Sequence, residues 1–160
     1  MVLVCFGGAA GPHELLRPCL AQDPEVEDVA DWIRSAAWSF GAIPADDAPA
    51  LLATEHPDVG VAALQSILAD TQSIEPDGSY SLHSAVRVAE RLVGARATKV
   101  WREHLLQTED TMTAYHLERF PAVEPSREYW ELYEDVAQNA TSPRIRSASS
   151  SATWESLPCT

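Results

Sequence analysis

The segment 82–94 constrains this chain more than any other. Leu82, Ala85, Val86, Ala89, Leu92 and Val93 recur at steps of three and four residues, which places them on one face of a helix, and Gly94 supplies the stop. So wide an apolar face is stable only when other elements cover it. The same spacing returns along the chain. Val26, Val29, Ile33, Ala37 and Phe40 form a second stripe behind Asp23 and Pro24, with Glu25, Glu27 and Asp28 suited to a helix N-terminus and Gly41 and Pro44 closing the segment. Asp58 is expected to cap another helix that runs to about Ser73, with Val61, Leu64, Ile67 and Leu68 inward.

Residues 95–120 form one long helix or two abutting ones by their pattern, with Val100, Trp101, Leu105, Met112, Tyr115 and Leu117 as core residues. Thr108, followed by Glu109 and Asp110, is a natural point of restart. Pro121 and Pro125 make a stiff connector, and Ser126 is expected to cap a last helix to about Gln138 that buries Tyr129, Leu132, Tyr133 and Val136. A shorter helix is expected over 13–21. Pro44, Pro49 and Pro57 make 42–57 mostly loop, with at most a short helix over 50–55, and Pro76-Asp77-Gly78-Ser79 has the chemistry of a turn. Only residues 2–6 carry a strand-like pattern. The expectation is an all-α fold, a bundle of about six or seven helices by periodicity.

The domain plan that follows is an N-terminal segment 1–11, a helical domain 12–138 and a tail 139–160. The tail is rich in Ser, Thr, Ala and Pro, and so polar a segment is expected to stay disordered because it buries too little to offset its ordering entropy.

At 160 residues, with 46% apolar and 22% charged side chains, the chain has the size and balance of one globular domain. Its 24 acidic against 11 basic residues give a formal net charge of -13, which repels a phosphate backbone, so nucleic acid is not expected as a partner. Five of the basic residues, Arg87, Arg91, Arg96, Lys99 and Arg102, crowd into one stretch. They form either a local anion site or a solvated helical face on which Glu90 and Glu103 supply counter-charges. Cys5, Cys19 and Cys159 are odd in number and widely spaced, which points away from a disulfide framework or zinc site and toward a reducing, cytoplasmic compartment. The opening Met1 to Phe6 is too short for a signal-peptide core, and no apolar run has the length of a membrane span.

The five histidines, His13, His56, His83, His104 and His116, lie far apart and none forms HExxH. Glu103, His104 and Glu109 can reach one region of a helix, where a polar face accounts for them. No serine stands in a G-x-S-x-G elbow, and Trp32, Trp38, Trp101 and Trp130 fit as core anchors. The most suggestive feature is Asp46-Asp47 behind Trp38-Ser39-Phe40, because adjacent carboxylates at a helix end can bind a divalent metal. Capping of a following helix accounts for the same two residues.

Three stretches together resemble the class I terpene synthases, the all-helical isoprenoid cyclases. Asp31-Trp32 leading to Trp38 and Phe40 is similar to the family helix that delivers an Asp-rich metal motif. Ala89-Glu90-Arg91 with Trp101-Arg102 resembles the middle helices, and Pro125-Ser126-Arg127-Glu128-Tyr129-Trp130-Glu131-Leu132 resembles a Pro-capped segment of the pattern E-Y-x-E-L. The resemblance covers roughly residues 24–140 and implies part of the terpenoid synthase fold, Mg²⁺ held by Asp46 and Asp47, and a prenyl diphosphate substrate for lyase-class chemistry. The departures are equally specific. The third acid of DDxxD falls on Ala50 if Asp46 and Asp47 are the first two, or the motif has become Phe40-Gly-Ala-Ile-Pro44 if the frame starts at Phe40. Leu132-Tyr133-Glu134 lacks the diphosphate-binding arginine, and the Ser-rich tail stands where the later Asn/Ser/Glu motif is expected. The resemblance therefore implies a truncated or degenerate relative that does not cyclise prenyl diphosphates. It also implies partly exposed faces around Val100, Trp101, Leu105 and Tyr115 that promote self-association. The alternative is a helical protein-interaction module without catalytic ancestry.

Overall fold

The computed structural model describes residues 24–38, 56–70, 82–118 and 127–152. Among them every regular element is a helix: α1 Val26–Trp38, α2 Pro57–Ala69, α3 Leu82–Val93, α4 Ala95–Gln107, α5 Thr111–Glu118, α6 Arg127–Asn139 and α7 Pro143–Ala152. This is the all-α bundle that the periodicity predicts. None of these helices is long and apolar enough to cross a membrane. The strand-like residues 2–6, the short helices expected over 13–21 and 50–55, and the turn at Pro76-Asp77-Gly78-Ser79 lie outside the described residues.

The stripe that opened the case for helices is buried throughout: Leu82, Ala85, Val86, Ala89 and Leu92 are fully enclosed and Val93 nearly so. α1, α2 and α4 pack on α3 and enclose it. Val29, Ile33 and Ala37 come from α1, and Leu64, Ile67 and Leu68 from α2. α2 ends at Ala69, short of Ser73, and Asp58 lies in its first turn, so His56 and not Asp58 occupies the N-cap position. Asp58 instead accepts a hydrogen bond from Arg96 at 3.0 Å, an exposed pair that adds little to stability.

α3 passes into α4 through Gly94 alone. Its φ of 63° and ψ of -145° are open to glycine and costly for residues with a Cβ. Nothing lies within 4 Å of where that Cβ would stand, so the restriction is one of backbone and not of space. The region 95–118 divides into two helices at 108–110. Asp110 starts the second: its carboxylate accepts the Thr113 backbone N–H at 2.6 Å and the Thr113 hydroxyl at 2.8 Å. Thr108 plays a supporting part, its hydroxyl oxygen accepting the Asp110 N–H at 3.1 Å.

Two expectations fail at the C-terminal end. Residues 140–152 are not a disordered tail but a packed element, with Ala140, Ile145, Ala148 and Ser149 buried and α7 set against both α5 and α6. Pro143 suits the first helical position, where no N–H is required. Ser150 and Ser151 donate their hydroxyls to the Arg146 and Ser147 carbonyls, so these two serines are satisfied within the helix. Thr141 ties the approach by donating both its N–H and its hydroxyl to the Leu106 carbonyl, at 2.9 Å and 3.0 Å. Trp154, Leu157 and Pro158 lie outside the described residues. The second failure concerns the faces expected to be exposed. Val100, Trp101 and Leu105 are buried and Tyr115 is half-buried, because the second group of helices covers this side of α4.

The helices fall into two groups. α3 packs on α1, α2 and α4, and α2 on α1 and α4; α7 packs on α5 and α6, and α4 with α6 makes the chief close backbone approach between the groups.

Candidate functional site

Large side chains fill the seam between the two groups. On α3, His83, Arg87 and Glu90 follow at steps of four and three, so they share an edge of the helix beside the apolar stripe. From α6, Tyr129 and Tyr133 stand one turn apart and face that edge. The His83 and Tyr129 rings meet edge to face, with centroids 4.5 Å apart and planes at 75°, and Tyr133 lies 6.4 Å from His83. The Arg87 guanidinium sits over the Tyr129 ring at 5.6 Å, a cation–π arrangement. Arg87 also reaches the Glu90 carboxylate at 3.5 Å, and Thr98 at the start of α4 donates its hydroxyl to the same carboxylate.

Burial sets the chemistry of these groups. Together with the smaller effect of the adjacent Arg87 charge, it lowers the His83 pKa from 6.5 to about 3, so the imidazole is neutral at neutral pH. Burial likewise raises the Tyr129 and Tyr133 phenols, with the Glu90 carboxylate adding to both rises. The Trp101 indole N–H works against the rise at Tyr133. His83, Trp101, Tyr129 and Tyr133 are at most 6% exposed, so in this closed arrangement no solute reaches the imidazole or the phenols. As it stands, the cluster joins α3, α4 and α6.

The residues singled out from the sequence fare differently. Asp46 and Asp47 lie outside the described residues. Glu103 pairs loosely with Lys99 at 4.0 Å, His104 stacks on Trp101 with centroids 5.8 Å apart, and Glu109 is exposed, so these three have separate engagements. Among the described residues no group of three or more His, Cys, Asp or Glu stands close enough to hold a metal ion. The basic stretch disperses into pairs: Arg87 with Glu90, Arg96 with Asp58, Lys99 with Glu103, and Arg102 with Asp135 at 2.7 Å. Four of the five thus pair with acids as a solvated charged face does, and Arg91 is exposed. Of the tryptophan anchors, Trp32 and Trp101 are buried and Trp130 is half-buried.

Sequence reasoning placed Tyr129 and Tyr133 in the core but missed their partners. The available signal was the four- and three-residue spacing of His83, Arg87 and Glu90 along the margin of an apolar stripe. Compared with known proteins, the chain matches no family model, no curated protein and no solved structure.

Proposed function

We propose that this chain acts as a non-catalytic helical module that holds a protein partner. One observation carries the reading: the polar and aromatic side chains best suited to line a reaction chamber, His83, Glu90, Trp101, Tyr129 and Tyr133, pack against one another at the seam. A net charge of -13 favours a partner with a basic surface and speeds its approach at low salt.

A degenerate terpene synthase is the second reading, and one feature favours it. The stretches Ala89-Glu90-Arg91, Trp101-Arg102 and Tyr129 to Leu132, which lie far apart in sequence, belong to helices that converge on the same seam. In that case Asp46 and Asp47 would hold Mg²⁺ for a prenyl diphosphate.

Incubation of the purified chain with farnesyl or geranyl diphosphate and Mg²⁺ separates the two. The first reading expects no terpene by gas chromatography and no Mg²⁺-dependent binding of either diphosphate by calorimetry. Product formation overturns it. Binding without turnover, lost in the Asp46→Asn and Asp47→Asn variants, establishes the second.

A further inference from the structure

The seam joins two groups of helices through side chains more than through close backbone packing, and its central member is a titratable ring. Tyr129 and Tyr133 face His83 from α6. On its own helix Arg87 stands one turn away, and Glu90 is already occupied by Arg87 and Thr98. The charged groups of α1 and α2, which also pack on α3, are directed elsewhere: Glu27 and Asp31 onto Arg34, and Asp58 onto Arg96. Asp28 and Asp70 are exposed. On the α4 side, Arg102 pairs with Asp135 of α6, and Lys99 with Glu103.

We propose that the seam is a proton-operated hinge in which uptake of a proton by His83 parts α6, with α5 and α7, from α3. A second cation would then lie beside Arg87 against the Tyr129 ring, deprived of water. Opening the seam hydrates the imidazolium and separates the two charges. Residues 108–110, between α4 and α5, supply the connection about which the second group turns.

The direction with pH follows from linkage. His83 binds its proton less readily in the closed form than in water, so closure is at full strength above pH 6.5 and weakens as pH falls toward about 3. His104 and His116 are also held below their ordinary value, chiefly by burial, and strain the fold in the same direction. They therefore serve as controls.

Hydrogen exchange of the intact chain at about pH 7 and about pH 5, corrected for intrinsic rates, tests the hinge. An open form with an ordinary imidazole predicts an opening population about 25-fold larger at the lower pH. The α6 amides should lose protection by that factor while those of α1 and α2 hold theirs. His83→Phe keeps a neutral ring and should abolish the difference, and His83→Gln serves the same purpose if the larger ring disturbs folding. His104→Gln and His116→Gln should leave it in place. Equal protection of α6 at both pH values overturns the proposal, as does simultaneous exchange of all helices, or a His83 variant that opens as the parent does.

Discussion

A chain ended at Asn139 is expected to lose its cooperative unfolding transition and to aggregate. The reason is α7, which packs on α5 and α6 with Ile145, Ala148 and Ser149 buried; without it, apolar surface on those helices meets water. Ile145 is the largest buried side chain of α7, and Ile145→Ala alone should cost about 2–5 kcal/mol by analogy with buried aliphatic truncations. Urea denaturation followed by circular dichroism measures both. An unchanged midpoint in the truncated chain would show that α7 contributes nothing to the fold. Ser149→Ala is expected to move the other way. The Ser149 hydroxyl is buried with no hydrogen-bond partner, so its removal relieves an unsatisfied group and improves helix propensity, for a gain of about 1 kcal/mol.

Trp101→Ala should be the most damaging single substitution in α4, at about 3–5 kcal/mol. Trp101 is 1% exposed, stacks on His104 of its own helix and lies beside the Tyr133 phenol of α6, so truncation removes contacts on both sides of the seam at once. Against a typical domain stability of about 5–15 kcal/mol, this brings the folded state close to its limit. Trp130→Ala, at a half-buried position on α6, should cost much less. Thermal melts of the two variants decide the matter, and equal losses would contradict the assignment of Trp101 as the anchor of the seam.

The helices legible in the sequence were those whose apolar residues repeat over three turns or more. α3 is the clearest case, because Leu82 to Val93 carries its own periodicity and Gly94 its own stop. α7 was hidden for a physical reason. Its buried face is Ile145 with only the small Ala148 and Ser149 beside it, too few apolar side chains to stand out among four serines. Composition marks such a segment as solvated. Two of its hydroxyls, those of Ser150 and Ser151, bond to carbonyls of the preceding turn, which no composition reveals. The seam was hidden for another reason. His83 and Glu90 lie some forty residues from Tyr129 and Tyr133 and meet them only through tertiary packing, although the local spacing on each helix was plain.

The single-residue junction at Gly94 bears on how a sequence of this kind can change. α3 and α4 are locked in phase, because Gly94 donates its N–H to the Glu90 carbonyl and accepts the Ala97 N–H within the span of one residue. One added residue there would turn α4 by about 100° relative to α3 and carry Trp101 out of the core toward solvent. A deletion would turn it as far the other way. Gains and losses of chain length are therefore barred at this point even though Gly94 is exposed, with open space where a side chain would stand, and drift in length must be taken up between other helices.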